Sequence, residues 1–284
     1  MAYTEAGLPY VPVRLEQPFR TPGDAAVEVA QFVAMHGGQS RSRGLPTLET
    51  LWADFTILEP ECIPFDIPNR NLNPRYAALE IASLLGGMPV ESHQRLHAKG
   101  MAAYQDGFVQ RGNYGVRIRN QLRDFVHKLV DDQGSRQAVM GIWEPRDLID
   151  ESSDVPCTLN VQGFLRDDMF YMRTTMRSND VYLGLPYDLH QFCALQATMA
   201  EVFDVPCGFY RHSVGSLHCY LPDIDAVSDM VVPTDIPEAQ DLWDMPDADP
   251  PERLAYVQLF CQEALFGAAM TPNTEFEAWL LEAI

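Results

Sequence analysis

Cys157 follows a proline at the head of an alternating apolar run, and of the six cysteines (62, 157, 193, 207, 219 and 261) it is the one whose setting packing does not explain. A thiolate is nucleophilic at a modest ionised fraction and can leave again, which suits reversible addition to an electrophilic carbon. Glu80 is the sole acid among Ala77, Ala78, Leu79, Ile81, Leu84 and Leu85. Such a carboxylate either moves protons or lies on the exposed stripe of its helix, and spacing admits both. His218 and Tyr220 stand two apart, and a strand histidine serves equally as a ligand-binding group or a structural hydrogen-bond partner. Arg41, Arg43, Arg136 and Arg177 carry the forked donors that hold a phosphate.

The chain of 284 residues is long enough to bury a full core, and one large domain is expected. Forty acids against 20 Lys plus Arg give a formal charge of -20, which excludes sequence-independent binding to nucleic acid. Any phosphate bound is therefore a small one, met by a few local arginines. No apolar run is long enough to cross a bilayer and no charged-then-apolar leader opens the chain, so a soluble, cytoplasmic protein with no membrane partner is expected. The cysteines form neither C-x-x-C pairs nor Cys/His metal spacings, which points to a reduced compartment and no metal, and Cys193 and Cys219 read as packing residues.

The elements that must position these residues alternate between helix and strand. Pro22-Gly23-Asp24 opens a capped helix that Gly37-Gly38 ends, and residues 47–58 read as extended. Asn73-Pro74 opens the helix bearing Glu80, which runs to Gly86-Gly87. Helices are expected at 91–105 and 116–130, then a strand at 137–143. Residues 157–165 alternate with Cys, Leu, Val, Gly and Leu on one face, and Arg166-Asp167-Asp168 turns the chain into a second strand at 169–176. A helix from Leu185 to Phe203 leads to a strand at 208–220. Residues 223–252 hold ten acids and no Lys or Arg, and read as a solvated loop before short helices at 252–267 and 274–283.

Seven strings, in order, resemble the thymidylate synthase family. Arg43-Gly44 before Thr47-Leu48-Glu49 resembles its phosphate loop, with Arg41 able to take the same place. Leu79-Glu80 resembles the helix of its catalytic glutamate, and Tyr114-Gly115 its active-site tyrosine. Ser135-Arg136 before Trp143-Glu144-Pro145-Arg146-Asp147-Leu148 resembles the arginine segment and the Trp-Asn-Pro-x-Asp-Leu motif. Pro156-Cys157 matches the nucleophile, Arg177 to Asp188 the longest motif, and Gly215 to Tyr220 the Gly-Asp-x-His-x-Tyr motif. The resemblance spans residues 41 to 222, leaving 1–40 as an extension and 223–284 as a divergent acidic loop with C-terminal helices.

It implies a single α/β domain with a bent mixed sheet flanked by helices, paired back to back as a homodimer. Cys157 would add to C6 of a pyrimidine nucleoside monophosphate, with Glu80, Tyr114 and Asp180 in the catalytic set. Arg43, Arg177, Ser178 and, across the dimer interface, Arg136 would hold the phosphate. His218 and Tyr220 would bind the sugar, and Asp180 and Gly184 the co-substrate 5,10-methylenetetrahydrofolate. Three departures bear on outcome: Thr158 where these synthases have His, Gln137 for the second arginine of a pair, and no Trp between Glu91 and Tyr114. Asp188 stands where thymidylate synthases place Asn. An ionised Asp accepts only, so it suits the amine of cytosine, with a proton shared at N3, better than O4 of uracil. Missing tryptophans favour water over hydride at the transferred carbon. The chain is thus most similar to the hydroxymethylase branch, typified by phage deoxycytidylate hydroxymethylases. A dUMP hydroxymethylase, a thymidylate synthase or dCMP methylase, and a catalytically dead nucleotide-binding relative are the alternatives.

Overall fold

The computed structural model describes residue 15 and residues 17–42, 44–89, 112–149, 154–239 and 241–284. Six strands form one mixed sheet in the order β1-β2-β6-β5-β4-β3. They are β1 (Gly38–Ser42), β2 (Leu45–Ile57), β3 (Val139–Gly141), β4 (Thr158–Arg166), β5 (Met169–Asp180) and β6 (Cys207–Tyr220). All neighbours run antiparallel except β5 and β6, which are parallel and joined through a helix, as a parallel pair requires. The α/β class is as expected.

The helices are α1 (Pro22–His36), α2 (Pro74–Gly86), α3 (Tyr114–Ile118), α4 (Gln121–Asp131), α5 (Leu185–Val202), α6 (Ile224–Ser228), α7 (Pro250–Leu265) and α8 (Glu275–Ala283). The residues expected to bound α2 do so by identifiable chemistry. The Asn73 side chain accepts from Tyr76 N, Pro74 occupies the first turn, and Gly87 closes the helix at φ 63°. Helix α5 is buried along nearly its whole length and links β5 to β6. Helix α7 packs on α2, where Gln262 Nε2 donates to the Gly86 carbonyl at 2.8 Å.

Several boundaries differ from the sequence reading. The helix expected at 116–130 is two pieces, α3 and α4, and the strand expected at 137–143 shrinks to β3. The helix expected at 91–105 lies outside the described residues. In β4 the alternation slips: Thr158 faces Met176 and Asn160 faces Thr175, so Leu159 is an extra residue in a bulge. Thr158, Val161 and Gly163 therefore face inward, not the predicted Cys157 and Leu159 set. The acidic 223–252 segment is not simply a solvated loop. It buries Val227, Met230, Leu242 and Trp243 in the core. Glu201 accepts from Leu242 N and Trp243 N at 2.7 and 3.0 Å, and the fully buried Glu277 accepts from Asp244 N and Tyr256. Charge pattern predicted solvent there because it counted acids and passed over the few large apolar residues between them.

The far face of the sheet carries a half-buried polar lattice. Arg211 grips Asp54 with two nitrogens at 2.8 and 2.7 Å, Ser213 donates to the same carboxylate, and Arg173 donates to Ser213. Trp52, 69% exposed, and Phe209 stand beside it.

Candidate active site

Five elements converge on Cys157. It is the last residue before β4, where the bulge turns the strand, and it packs half-buried against the core. Arg177, near the end of β5, grips the segment in front of it: Nε donates to the Pro156 carbonyl at 2.9 Å and a terminal nitrogen to the Val155 carbonyl at 3.0 Å. Its backbone N–H also donates to the Cys157 carbonyl, and its guanidinium lies 5.8 Å from the Trp143 ring centroid. The other five thiols are all pushed upward by burial, Cys62 and Cys219 to about 12, so they stay protonated and inert.

Tyr114 approaches from α3, and the approach depends on its neighbour. A Cβ on Gly115 would lie 1.9 Å from the Ser83 carbonyl oxygen of α2, so glycine alone lets the two helices meet there. The Tyr114 phenol stacks with Phe192 at 5.9 Å and sits beside the buried Thr158. It is held protonated, first by burial, and Asp188, Cys157 and Glu80 all stand near enough to act on its proton. Glu80 comes from α2, half-buried, with the Tyr76 hydroxyl of the preceding turn bonded to it. Tyr187 ties this helix to α5 by accepting from Asn73 N at 3.0 Å.

The end of β5 and the start of α5 supply the remaining groups. Ser178 Oγ lies 3.4 Å from His218 Nδ1 on the adjacent parallel strand, and Tyr220 meets His218 edge-on at 5.4 Å. Asp180 Oδ1 accepts from the N–H groups of Tyr182 and Leu183 at 2.8 and 2.7 Å. Its Oδ2 is buried with no hydrogen-bond partner among the described residues, and burial raises its affinity for a proton. Gly184 caps α5, its carbonyl accepting from Asp188 N. Asp188 is 8% exposed and its Oδ1 accepts from Gln191 Nε2 at 3.0 Å.

Asp188 corrects one premise of the sequence reading. Burial first, and the charge of Glu80 second, push its carboxyl up to about 8, outweighing hydrogen bonds from Gln191 and Asn179. At neutral pH the group is a carboxylic acid, with one donor and one acceptor, and not the acceptor-only anion assumed from its type.

The structure thus brings together Cys157, Glu80, Tyr114, Arg177, Ser178, Asp180, Gly184, Asp188, His218 and Tyr220. It keeps Arg136 apart. That side chain is exposed before β3, in a hollow of about 260 Å³ shared with Lys128, Asp131 and Asp132, and the Arg136 carbonyl accepts from Gln162 well along β4 from Cys157. Arg43 lies outside the described residues, and Arg41 is exposed on β1. Sequence reasoning passed over Tyr76, Asn179 and Gln191, which contact Glu80 or Asp188, and His212, which bonds Asn179 behind them. Tyr76 was findable, one turn before Glu80 on an otherwise apolar helix.

The family model for thymidylate synthase matches residues 92–241, more than half of the chain. The chain belongs to the thymidylate synthase family. It is 30% identical over 151 residues to a thymidylate synthase of Bacillus subtilis subsp. natto, covering 53% of this chain and 52% of that protein. A thymidylate synthase of Bacillus phage phi3T is 29% identical over the same length with the same shares, and that of Bacillus licheniformis is 30% identical over 144 residues, covering 51% and 50%. The chain spans about half the length of the curated relatives it matches. The family match extends to 241, into the acidic segment that the motifs alone left out, and begins after Glu80. The placement of Glu80 beside Tyr114 and Asp188 therefore rests on the fold.

Proposed function

We propose that this protein is a deoxycytidylate hydroxymethyltransferase, and that the observation carrying this reading is the buried carboxyl of Asp188 beside Cys157, Tyr114 and Glu80. A neutral acid pairs with either base by choosing which oxygen carries the proton. The two pairs differ in what they need. With cytosine a single proton lies between Asp188 and N3, and it can reside on either, because N3 is a basic ring nitrogen. With uracil the proton must stay on Asp188, because O4 is a far weaker base. Cytosine is thus accommodated in both protonation states, and uracil in one.

Cys157 then adds to C6 and the C5–C6 π pair moves to C5, making that carbon nucleophilic. Arg177 supports this step by fixing the residues before Cys157 and supplying positive charge near the thiol. Phosphate binding by Arg177 would require it to exchange or share its carbonyl partners, while Ser178, His218 and Tyr220 line the sugar side. Methylenetetrahydrofolate would supply the one-carbon unit at C5. The buried, unpartnered Oδ2 of Asp180 fits a role in holding it, since an acceptor in that state lacks a donor. Glu80, paired with Tyr76, handles the protons at C5 and the base edge. The absence of Trp between Glu91 and Tyr114 favours water at the transferred carbon, and hence hydroxymethyl.

The test is product mass after incubation with methylenetetrahydrofolate and either dCMP or dUMP. Hydroxymethyl-dCMP as the main product, with Asp188→Asn moving the ratio of the two kcat/KM values toward dUMP, is expected. A wild type that prefers dUMP, or a ratio the substitution leaves in place, ends the deoxycytidylate reading.

A further inference from the structure

We propose that Tyr210, His212 and Asn179 form a buried hydrogen-bond chain that terminates on Asp188 and fixes the orientation of the carboxyl that reads the base. The inference rests on the reading that Asp188 meets the base, and it adds three positioning residues that never touch the nucleotide.

The geometry is continuous from sheet to helix. Tyr210 and His212 stand two apart on β6 with no exposed surface, Asn179 on β5 is 2% exposed, and Asp188 opens α5. The Tyr210 hydroxyl lies 2.8 Å from His212 Nδ1, and His212 Nε2 lies 3.2 Å from the Asn179 amide nitrogen. Asn179 Oδ1 is buried with no hydrogen-bond partner among the described residues. It points to the space beside Gly184, where a Cβ would meet Asn179 Oδ1 at 3.1 Å and Asp188 Oδ2 at 3.4 Å.

In that orientation the Asn179 oxygen faces the side of Asp188 and is bonded to no donor among the described residues. The second nitrogen-bound proton of Asn179 faces only the Met176 sulfur, a poor acceptor. A half-turn of the amide resolves both defects, since its oxygen and nitrogen are interchangeable in shape. The Tyr210 O–H then donates to His212 Nδ1, His212 Nε2–H donates to Asn179 Oδ1, and Asn179 Nδ2–H donates to Asp188 Oδ2. Each donor meets an acceptor. His212 suits the role because burial pulls its imidazolium down to about 3, leaving a neutral ring with one N–H.

With Gln191 donating to Oδ1 and Asn179 to Oδ2, the carboxyl is held at both oxygens and cannot rotate. The lone pairs and the proton that face the base therefore occupy fixed positions. Without the chain the carboxyl turns, and its proton and lone pair no longer hold the positions that meet N3 and the amine of cytosine.

Two measurements on the full-length protein test this. Nitrogen NMR of labelled histidine should show His212 protonated at Nε2, with a bare Nδ1 whose signal moves in Tyr210→Phe. A His212 protonated at Nδ1 would overturn the chain, and this arm needs no substrate. The second arm is the ratio of kcat/KM for dCMP and dUMP. Asn179→Leu should shift the ratio about tenfold, the equivalent of one buried hydrogen bond, and Tyr210→Phe by a smaller factor in the same direction. A merely structural role would lower both rates together and leave the ratio unchanged, which also overturns the proposal. If wild type prefers dUMP, the deoxycytidylate reading fails on its own. The chain then still stands or falls by whether the same variants move the ratio.

Discussion

At the scale of single residues, two side chains change what their types alone would suggest. Asp188 is an acid whose surroundings keep it protonated at neutral pH, and this makes its pairing with the base a function of pH. As pH rises through about 8 the carboxyl ionises and loses the proton it offers to N3 of cytosine or to O4 of uracil. The kcat/KM for dCMP should therefore fall as pH rises through that range in wild type and not in Asp188→Asn, and a profile shared by the two would remove Asp188 from base reading. Cys157 is the other such residue. Cys157→Ser should fold and bind nucleotide yet lose turnover almost completely, an alcohol being a far poorer nucleophile for conjugate addition. Near-normal turnover would take Cys157 out of the mechanism.

At the scale of elements, the site is held by ties between loops and helices more than by the strands themselves. Arg117 of the short helix α3 grips Asp147 with two nitrogens at 2.7 and 2.8 Å, both side chains nearly fully buried, and Asp147 also accepts from Glu144 N. This pins Trp143, over which Arg177 lies. Removing one partner of such a pair leaves an uncompensated charge, so Asp147→Ala should cost about 3–5 kcal/mol by denaturant unfolding. The hydrogen bonds from Arg117, ahead of the opposing cost of burial, hold the Asp147 carboxyl below the usual range. Its folded value is depressed, so its contribution is complete above about pH 4 and is lost as pH falls through the folded value. The Asp147→Asn variant should lack that acid-side loss. Motif wording made the site's members legible, because Asp147, Arg177 and Asp188 sit in strings with fixed spacing. The caps of α2 were legible too, since Asn73, Pro74 and Gly87 each have one dominant use. The bulge at Leu159 was not, because an extra residue in a strand leaves no mark on composition. Nor was the protonation of Asp188, which depends first on its burial and then on Glu80 arriving from a helix more than a hundred residues earlier.

At the scale of the whole molecule, Arg136 stands apart from the site of its own chain, and the open sheet face bears the Arg211–Asp54–Ser213 lattice beside the exposed Trp52. Both suit a back-to-back homodimer in which each site borrows Arg136 from the other copy. Mixing inactive Cys157→Ser with inactive Arg136→Ala should then restore part of the activity, because some hybrid dimers hold one intact site. No recovery despite demonstrated subunit exchange would count against a shared site. The provenance of the site residues within one chain has its own consequence. Cys157, Arg177, Ser178, Asp180, Gly184, Asp188, His218 and Tyr220 come from one uninterrupted run through the β4–β5 hairpin, α5 and β6, whereas Glu80 arrives on α2, which leans on α7 through Gln262 and Gly86. Delivery of the proton therefore has a support of its own in α7, beside the tie from Asn73 to Tyr187 that α2 shares with α5. Loosening α7 at Gln262 should yield a protein that still captures its nucleotide and does nothing with it.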